Sequence, residues 1–254
     1  TTYLGTFEAH GGEAYYSAAS PSEPGGPGTV FIYHQHHQHR TLYINNNMRQ
    51  SQLVSQVSDY SDLSTDSFKA WFLPESGDHW LAQSNHDYKF DELQIYGNAH
   101  LAILPEPFDE GASLFFLHMI GDRSGVIHIG EFQVMDLIRP FLDTPFSSYV
   151  YPGGYLGLGV HTLVDRVFIN LEGTLDNIVN LTIGHSGELR MFLTGSTNQR
   201  ERLNYHFNGT TIIKARGSIT TFSPPAHPEQ YNVVLNHATV EGGGLIQGKN
   251  IHIE

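Results

Sequence analysis

Apolar and polar residues alternate in short runs along most of this chain, and glycine-bearing turns separate the runs. Between Val179 and Ile183, for example, valine, leucine and isoleucine alternate with Asn180 and Thr182. A period of two places successive side chains on opposite faces of a β-strand. The pattern therefore predicts an all-β protein.

Six such phrases, each an apolar strand, a glycine turn and a second short strand, follow one another after about residue 90. Their turn glycines are Gly97, Gly125, Gly154, Gly187, Gly217 and Gly244, separated by 28, 29, 33, 30 and 27 residues. Repeats of this length are typical of solenoids, in which each coil buries its apolar face against its neighbours. We expect a right-handed parallel β-helix over residues 86–254.

The alternative is an antiparallel β-sandwich. Its hairpins also alternate and turn at glycines, usually at a spacing of about 8–12 residues. The longer spacing observed here favours the β-helix.

Residues 1–85 predict an irregular glycine- and proline-bearing N-terminal β region, because residues 1 to about 30 are rich in glycine, proline and serine. Residues 29–33 and 41–44 are β-branched and aromatic, and indicate a hairpin or two successive strands. Residues 68–74 indicate a further strand ended by proline. Only residues 48–70 leave room for a short helix.

Composition narrows the class of partner. Among 254 residues, 26 are acidic and 13 are lysine or arginine, which gives a formal charge of -13. Such a surface repels nucleic acid and anionic membranes. The chain has no cysteine and no apolar run long enough for membrane insertion. Because it starts at Thr1 and ends in a strand-like run, we expect a processed or partial chain.

A histidine cluster is the most unusual local feature. His34, His36, His37 and His39 lie within six residues. In an extended strand His34 and His36 would share one face, and His37 and His39 the other, so either pair can chelate zinc or copper. No further ligand motif accompanies them, and the alternative is a polar, exposed turn with titratable imidazoles. Such a turn could act as a pH sensor, because adjacent imidazolium charges would repel each other below about pH 6.

Acidic pairs are candidates for glycan cleavage, but their spacing selects none of them. The candidates are Asp109 with Glu110, Glu131 with Asp136, and Asp122 beside Arg123. The four lysines, which a lyase would need for an acidic polysaccharide, are scattered. They are Lys69, Lys89, Lys214 and Lys249.

A Gly-His-Ser-Gly run predicts a turn, and exposed carboxylates are candidate ligands for calcium. Residues 184–187 read Gly-His-Ser-Gly, one residue short of the hydrolase motif Gly-x-Ser-x-Gly, and indicate a corner between strands. Calcium is a candidate ligand for exposed carboxylates, although no Asp-x-Asp-x-Asp-Gly run occurs.

Two N-glycosylation sequons begin at Asn180 and Asn208. The alternation around Asn180 places it and Thr182 on the outer face of the strand, where a glycan can sit. Both asparagines are therefore predicted acceptors.

Two segments carry a resemblance to known proteins. Residues 25–33 read GGPGTVFIY and residues 39–46 read HRTLYINN. They resemble a segment of very large secreted animal proteins that combine glycine-rich stretches with β-solenoid repeats, among them the sponge aggregation factor type. The resemblance implies an acidic, glycosylated protein of calcium-dependent cell adhesion, and it assigns no catalytic or binding residue.

Together these observations predict an extracellular structural or adhesion glycoprotein that assembles with itself or with other chains. The open ends of a solenoid support assembly, because they expose unpaired strand edges. A β-helix carbohydrate-active enzyme or glycan-binding module is the alternative.

Overall fold

The computed structural model describes residues 16–17, 20–21, 29–34, 37–48, 69–72, 87–103, 113–130, 134–137, 140–192, 203–222 and 231–254. These residues form an all-β structure of strands, turns and bends, without a helix.

Twenty-five strands lie in the described ranges. The first nine are β1 (Tyr16–Ser17), β2 (Ser20–Pro21), β3 (Thr29–His34), β4 (His39–Asn45), β5 (Lys69–Phe72), β6 (Asp87–Tyr96), β7 (His100–Ile103), β8 (Ser113–Gly121) and β9 (Gly125–Ile129). The next nine are β10 (Val134–Leu137), β11 (Phe141–Asp143), β12 (Phe146–Val150), β13 (Tyr155–Gly157), β14 (His161–Val164), β15 (Phe168–Leu171), β16 (Thr174–Asp176), β17 (Asn180–Ile183) and β18 (Glu188–Phe192). The last seven are β19 (Leu203–Phe207), β20 (Thr211–Ile213), β21 (Ser218–Phe222), β22 (Tyr231–Leu235), β23 (Ala238–Val240), β24 (Leu245–Gln247) and β25 (Ile251–Ile253).

Four sheets contain all of these strands except β1 and β2, which pair with each other. Sheet I has the order β16-β13-β10-β8-β6-β4-β3, and sheet II the order β11-β14-β17-β20-β23. Sheet III has the order β24-β21-β18-β15-β12-β9-β7-β5, and sheet IV the order β19-β22-β25. Within the four sheets every pair is parallel except the β3–β4 hairpin. These pairings rule out the antiparallel sandwich for this part of the chain.

The chain visits the sheets in rotation. From β10 to β18 it passes through sheets I, II and III three times in succession. We call each return to the same sheet a circuit. Val134 pairs with Tyr155 and Tyr155 with Thr174, so successive circuits here take 21 and 19 residues.

The predicted glycine spacing is right in the last circuits and wrong in the middle ones. Glu188, Ser218 and Leu245 each follow a predicted glycine and are partners in sheet III, which confirms the steps of 30 and 27 residues. Gly125, however, pairs with Phe146 and not with Gly154. Phe146 occupies the position where a glycine was expected. The chain therefore makes one more circuit between Gly125 and Gly187 than the glycine spacing predicted.

Strands β3, β4 and β5 of the N-terminal region join the same sheets. The predicted strand pair is confirmed as an antiparallel hairpin of β3 and β4, and the strand predicted at 68–74 is β5. β4 pairs with β6, and β5 with β7, both in parallel. The predicted domain boundary at residue 85, and most of the stretch considered for a short helix, lie outside the described residues.

Inward-facing apolar side chains from all four sheets form one buried core. Ile127 and Ile169 lie in one inward row of sheet III, and Phe90 stacks on Phe116 in sheet I with ring centroids 5.3 Å apart. Burial of this surface supplies stability that the chain, having no cysteine, cannot draw from disulfides.

Candidate functional site

The outer surface of sheet II carries a row of side chains that link one circuit to the next. The register pairs Phe141 with His161 and His161 with Asn180, and it aligns Asn180 with Thr210. The rings of Phe141 and His161 stack with centroids 4.6 Å apart. One predicted glycan acceptor therefore lies inside an ordered row.

Asn180 uses both ends of its side-chain amide. Its Oδ1 accepts a hydrogen bond from the backbone N–H of Thr210 at 2.8 Å. Its Nδ2 lies 3.0 Å from Nδ1 of His161. Because a backbone N–H can only donate, Oδ1 must face Thr210, and Nδ2 must donate to His161. His161 Nδ1 is then an acceptor, which requires the neutral Nε2–H tautomer.

The predicted orientation around Asn180 is correct for its strand. Leu181 and Ile183 are buried, whereas Asn180 and Thr182 are half-buried on the outer side. Val179, which was placed in the apolar set, is 40% exposed because it precedes the strand.

The second predicted acceptor, Asn208, lies in the turn between β19 and β20 and is exposed. Its backbone carbonyl accepts a hydrogen bond from Nδ2 of Asn236 at 3.3 Å. Thr210, which completes its sequon, is also exposed.

Sheet I carries a second outward polar group, formed by Asp136, Tyr155, Asp176 and Asn177. Asp136 and Asp176 both align with Gly157, which has no side chain to separate them. Asn177 Nδ2 donates to Asp136 Oδ1 at 3.1 Å, and the Tyr155 hydroxyl donates to Asp176 Oδ2 at 3.1 Å. Burial, together with Asp176, raises the pKa of Tyr155 to about 12.

The other acidic candidates have structural contacts or are not described. Burial alone would raise the pKa of Asp122, but hydrogen bonds from Ser124 and from the backbone of Gly97 outweigh it and lower the pKa. Arg123 donates from Nη2 to both carboxylate oxygens of Asp143 at 2.9 and 2.7 Å. Asp109, Glu110 and Glu131 lie outside the described residues.

The histidine cluster does not form one extended strand. The chain reverses between His34 and His39, which are opposite each other in the β3–β4 hairpin. His37 lies in the turn and is exposed, and His36 is outside the described residues. His37 and His39 therefore do not share one face of an extended strand, and the pair His34 and His36 lies partly outside the described residues. No group of three or more His, Cys, Asp or Glu able to hold a metal ion occurs in the described part of the chain.

Residues 184–187 form a turn between β17 and β18, as predicted, with Gly187 N–H donating to the Gly184 carbonyl at 3.1 Å. No helix among the described residues is long and apolar enough to cross a membrane.

One buried histidine was not singled out from sequence. His128 is 2% exposed, and its Nε2 lies 3.2 Å from His100 Nδ1 while its Nδ1 lies 3.1 Å from the Tyr151 hydroxyl. Its ring also stacks on Tyr149 at 5.1 Å. Only pairing between circuits reveals this group, because His128 stands in an apolar run that reads as ordinary core.

The chain matches no protein-family model, and searches of curated proteins and of solved structures give no significant match. Function therefore has to be inferred from the residues and contacts of this chain.

Proposed function

We propose that this chain is a right-handed parallel β-helix module of an extracellular structural or adhesion glycoprotein, and that it works by assembling with further copies. The rotation through sheets I, II and III in parallel register supports the helical winding. Crossovers between parallel strands of one sheet are right-handed in about 98% of cases, which supports the handedness.

The outward polar groups support a structural role. Asn180 is bonded to residues one circuit before and one circuit after it. Asp136 is bonded to Asn177, which directly follows β16, two strands away from β10 in sheet I. Side chains engaged in this way hold adjacent circuits in register.

The observation that carries the proposal is the exposed layer formed by β23, β24 and β25. Among the strands that the structure describes, each of these is the last of its sheet and has a neighbour on one side only. Val240 and Leu245 are each 46% exposed in this layer, and Ile253 is 59% exposed. Apolar strands with an unpaired edge add further strands readily. A second copy of the chain is the partner that we propose for this layer.

Light scattering on the chain in physiological calcium tests this function. We expect an assembly larger than one chain that becomes smaller in Leu245→Lys, because a charge in β24 opposes the addition of another layer. The same measurement after calcium chelation tests the calcium dependence.

The matched control is Val160→Lys. Val160 is 39% exposed and lies in the turn between β13 and β14, away from the exposed layer. It should assemble like the unchanged chain. A monodisperse monomer of the unchanged chain would contradict the proposed function.

A glycan-binding module is the second candidate, favoured by the group on sheet I. Asp176 and Asn177 are exposed beside the half-buried Tyr155, and carboxylates with an aromatic ring suit sugar hydroxyls and ring faces. Titration calorimetry with a panel of neutral and acidic oligosaccharides tests it. Asp176→Asn should weaken binding about tenfold, equivalent to one charged hydrogen bond, and Asp143→Asn in sheet II should not. Absence of binding across the panel would exclude this candidate.

A further inference from the structure

The two sequons lie on neighbouring circuits and contact each other. Leu181 pairs with Thr211, which aligns Asn180 of one sequon with Thr210 of the other. The backbone N–H of Thr210 donates to the side chain of Asn180. The two asparagines therefore have different surroundings, although their sequence motifs are equivalent.

Asn180 is enclosed by its own contacts. Its amide lies between His161 and Thr210, at 3.0 and 2.8 Å. Gly209 packs against it so closely that a methyl group there would collide with Asn180 Oδ1 and lie 2.7 Å from the Val179 carbonyl oxygen. A sugar on Nδ2 would have to fit into this half-buried row. Such a sugar would disrupt the hydrogen bonds of Asn180 to His161 and Thr210, which join three circuits.

Asn208 has no such constraint. It is exposed in a turn, and its side-chain amide makes no hydrogen bond to any residue that the structure describes. Thr210, two residues later, is exposed as well, and its backbone rather than its hydroxyl contacts Asn180. Both side chains that a glycosyltransferase must reach are thus accessible in the same turn.

We propose that Asn208 carries an N-linked glycan and that Asn180 does not, an inference that rests on the proposed passage of this chain to the cell exterior. The donor is an oligosaccharide on a prenyl pyrophosphate lipid. Nδ2 of Asn208 forms a bond to the anomeric carbon, and the bond from that carbon to the pyrophosphate oxygen breaks. The lipid pyrophosphate leaves with the bonding electron pair and takes up the proton that the amide loses. The glycan then projects from the corner between sheets IV and II.

The test is secretion of the full chain from animal cells, followed by intact mass measurement and peptide mapping after enzymatic glycan release in heavy-oxygen water. Thr210→Ala and Thr182→Ala each remove one sequon hydroxyl and keep both asparagines. We expect Thr210→Ala to lose the glycan mass completely and Thr182→Ala to keep it. Thr210→Ser, which restores a hydroxyl, should regain the glycan.

Label at Asn180, whether alone or together with Asn208, would overturn the inference, and so would an unmodified secreted chain. An unmodified chain that still assembles in light scattering overturns this inference but leaves the proposed assembly intact. A chain glycosylated at Asn208 that stays monomeric contradicts the proposed assembly and supports this inference.

Discussion

Close contact between circuits leaves some single positions without room for a side chain. A methyl group at Gly187 would collide with the backbone carbonyl of Val164 in the preceding circuit. Gly242, by contrast, has nothing within 4 Å of the corresponding point. The backbone at Val164 cannot move aside as a flexible side chain would. Gly187 should therefore tolerate an added methyl group less well than Gly242 does.

We expect Gly187→Ala to lower the free energy of unfolding by about 1–3 kcal/mol, because it forces neighbouring backbones apart. Gly242→Ala should leave stability unchanged or raise it by about 0.4–1 kcal/mol, since alanine reduces the freedom of the unfolded chain. Urea denaturation measures both. Equal losses in the two variants would show that circuit spacing does not decide the effect.

A second prediction at the residue scale concerns His161. Its Nδ1 accepts from Asn180 Nδ2, so the neutral ring should be the Nε2–H tautomer. Long-range proton–nitrogen correlation spectra above neutral pH distinguish the two tautomers, and His161→Gln identifies the signal. Asn180→Ala should let the ring populate both tautomers. A predominant Nδ1–H form in the unchanged chain would refute the assigned orientation of Asn180.

Individual strands are joined by side chains where backbone pairing stops. Sheet I ends at β16, and the next circuit begins sheet IV with β19. Tyr205 of β19 is buried, and its hydroxyl donates to the carbonyl of Gly173, just before β16, at 2.6 Å. Burial raises the pKa of this tyrosine, and Glu172 raises it further. The hydroxyl thus connects two sheets that share no ladder hydrogen bonds.

Tyr155 in β13 provides a titration test at the element scale. Its pKa is raised from 10.0 to about 12, first by burial and then by Asp176. The unfolded chain loses this proton near pH 10 and the folded chain only near pH 12, so its contribution to stability is present below pH 10 and is lost as the pH rises through this window. Tyr155→Phe should flatten the decline in stability between these pH values.

Asp176→Asn separates the two causes. We expect the pKa of Tyr155 to fall but to stay above 10.0, because burial is the larger cause. Ultraviolet difference titration follows the tyrosinate, and Asp143→Asn, which lies in sheet II, is the control. A return to 10.0 in Asp176→Asn would mean that charge, not burial, dominates.

For the whole molecule, stability should vary along the stack of circuits. β12 and β15 have a paired strand on both sides, whereas β24 at the edge of sheet III has one on a single side. In the β-helix that we propose, as in other stacked repeats, each unit is stabilised mainly by its neighbours. The edge layer should therefore open with the smallest free energy.

Hydrogen exchange measured by mass spectrometry should show the slowest exchange in β12 and β15 and the fastest in β23 and β24. The exchange should be measured at a protein concentration at which light scattering shows single chains, because assembly would protect the edge layer from exchange. Uniform exchange along the stack would indicate that all circuits open together.

Much of this architecture follows from local pattern. Alternation predicted the strand class, the two strands β3 and β4 and the outward side of Asn180, because side-chain period and β-branched residues depend on neighbours along the chain. The lengths of the middle circuits were not predicted correctly from the local pattern. Phe146 occupies the position that aligns with Gly125, and a count of glycines overlooks a circuit whose corner has a larger residue.

The sequence by itself determined that the chain is all-β, that it is acidic and without cysteine, and that two asparagines carry the sequon. Only the tertiary structure decided that Asn180 lies between His161 and Thr210 while Asn208 lies exposed in a turn. Register between parallel circuits sets this difference, because it brings together residues 19 and 30 positions apart. Such pairing depends on the folded backbone and cannot be recognised from a local sequence motif.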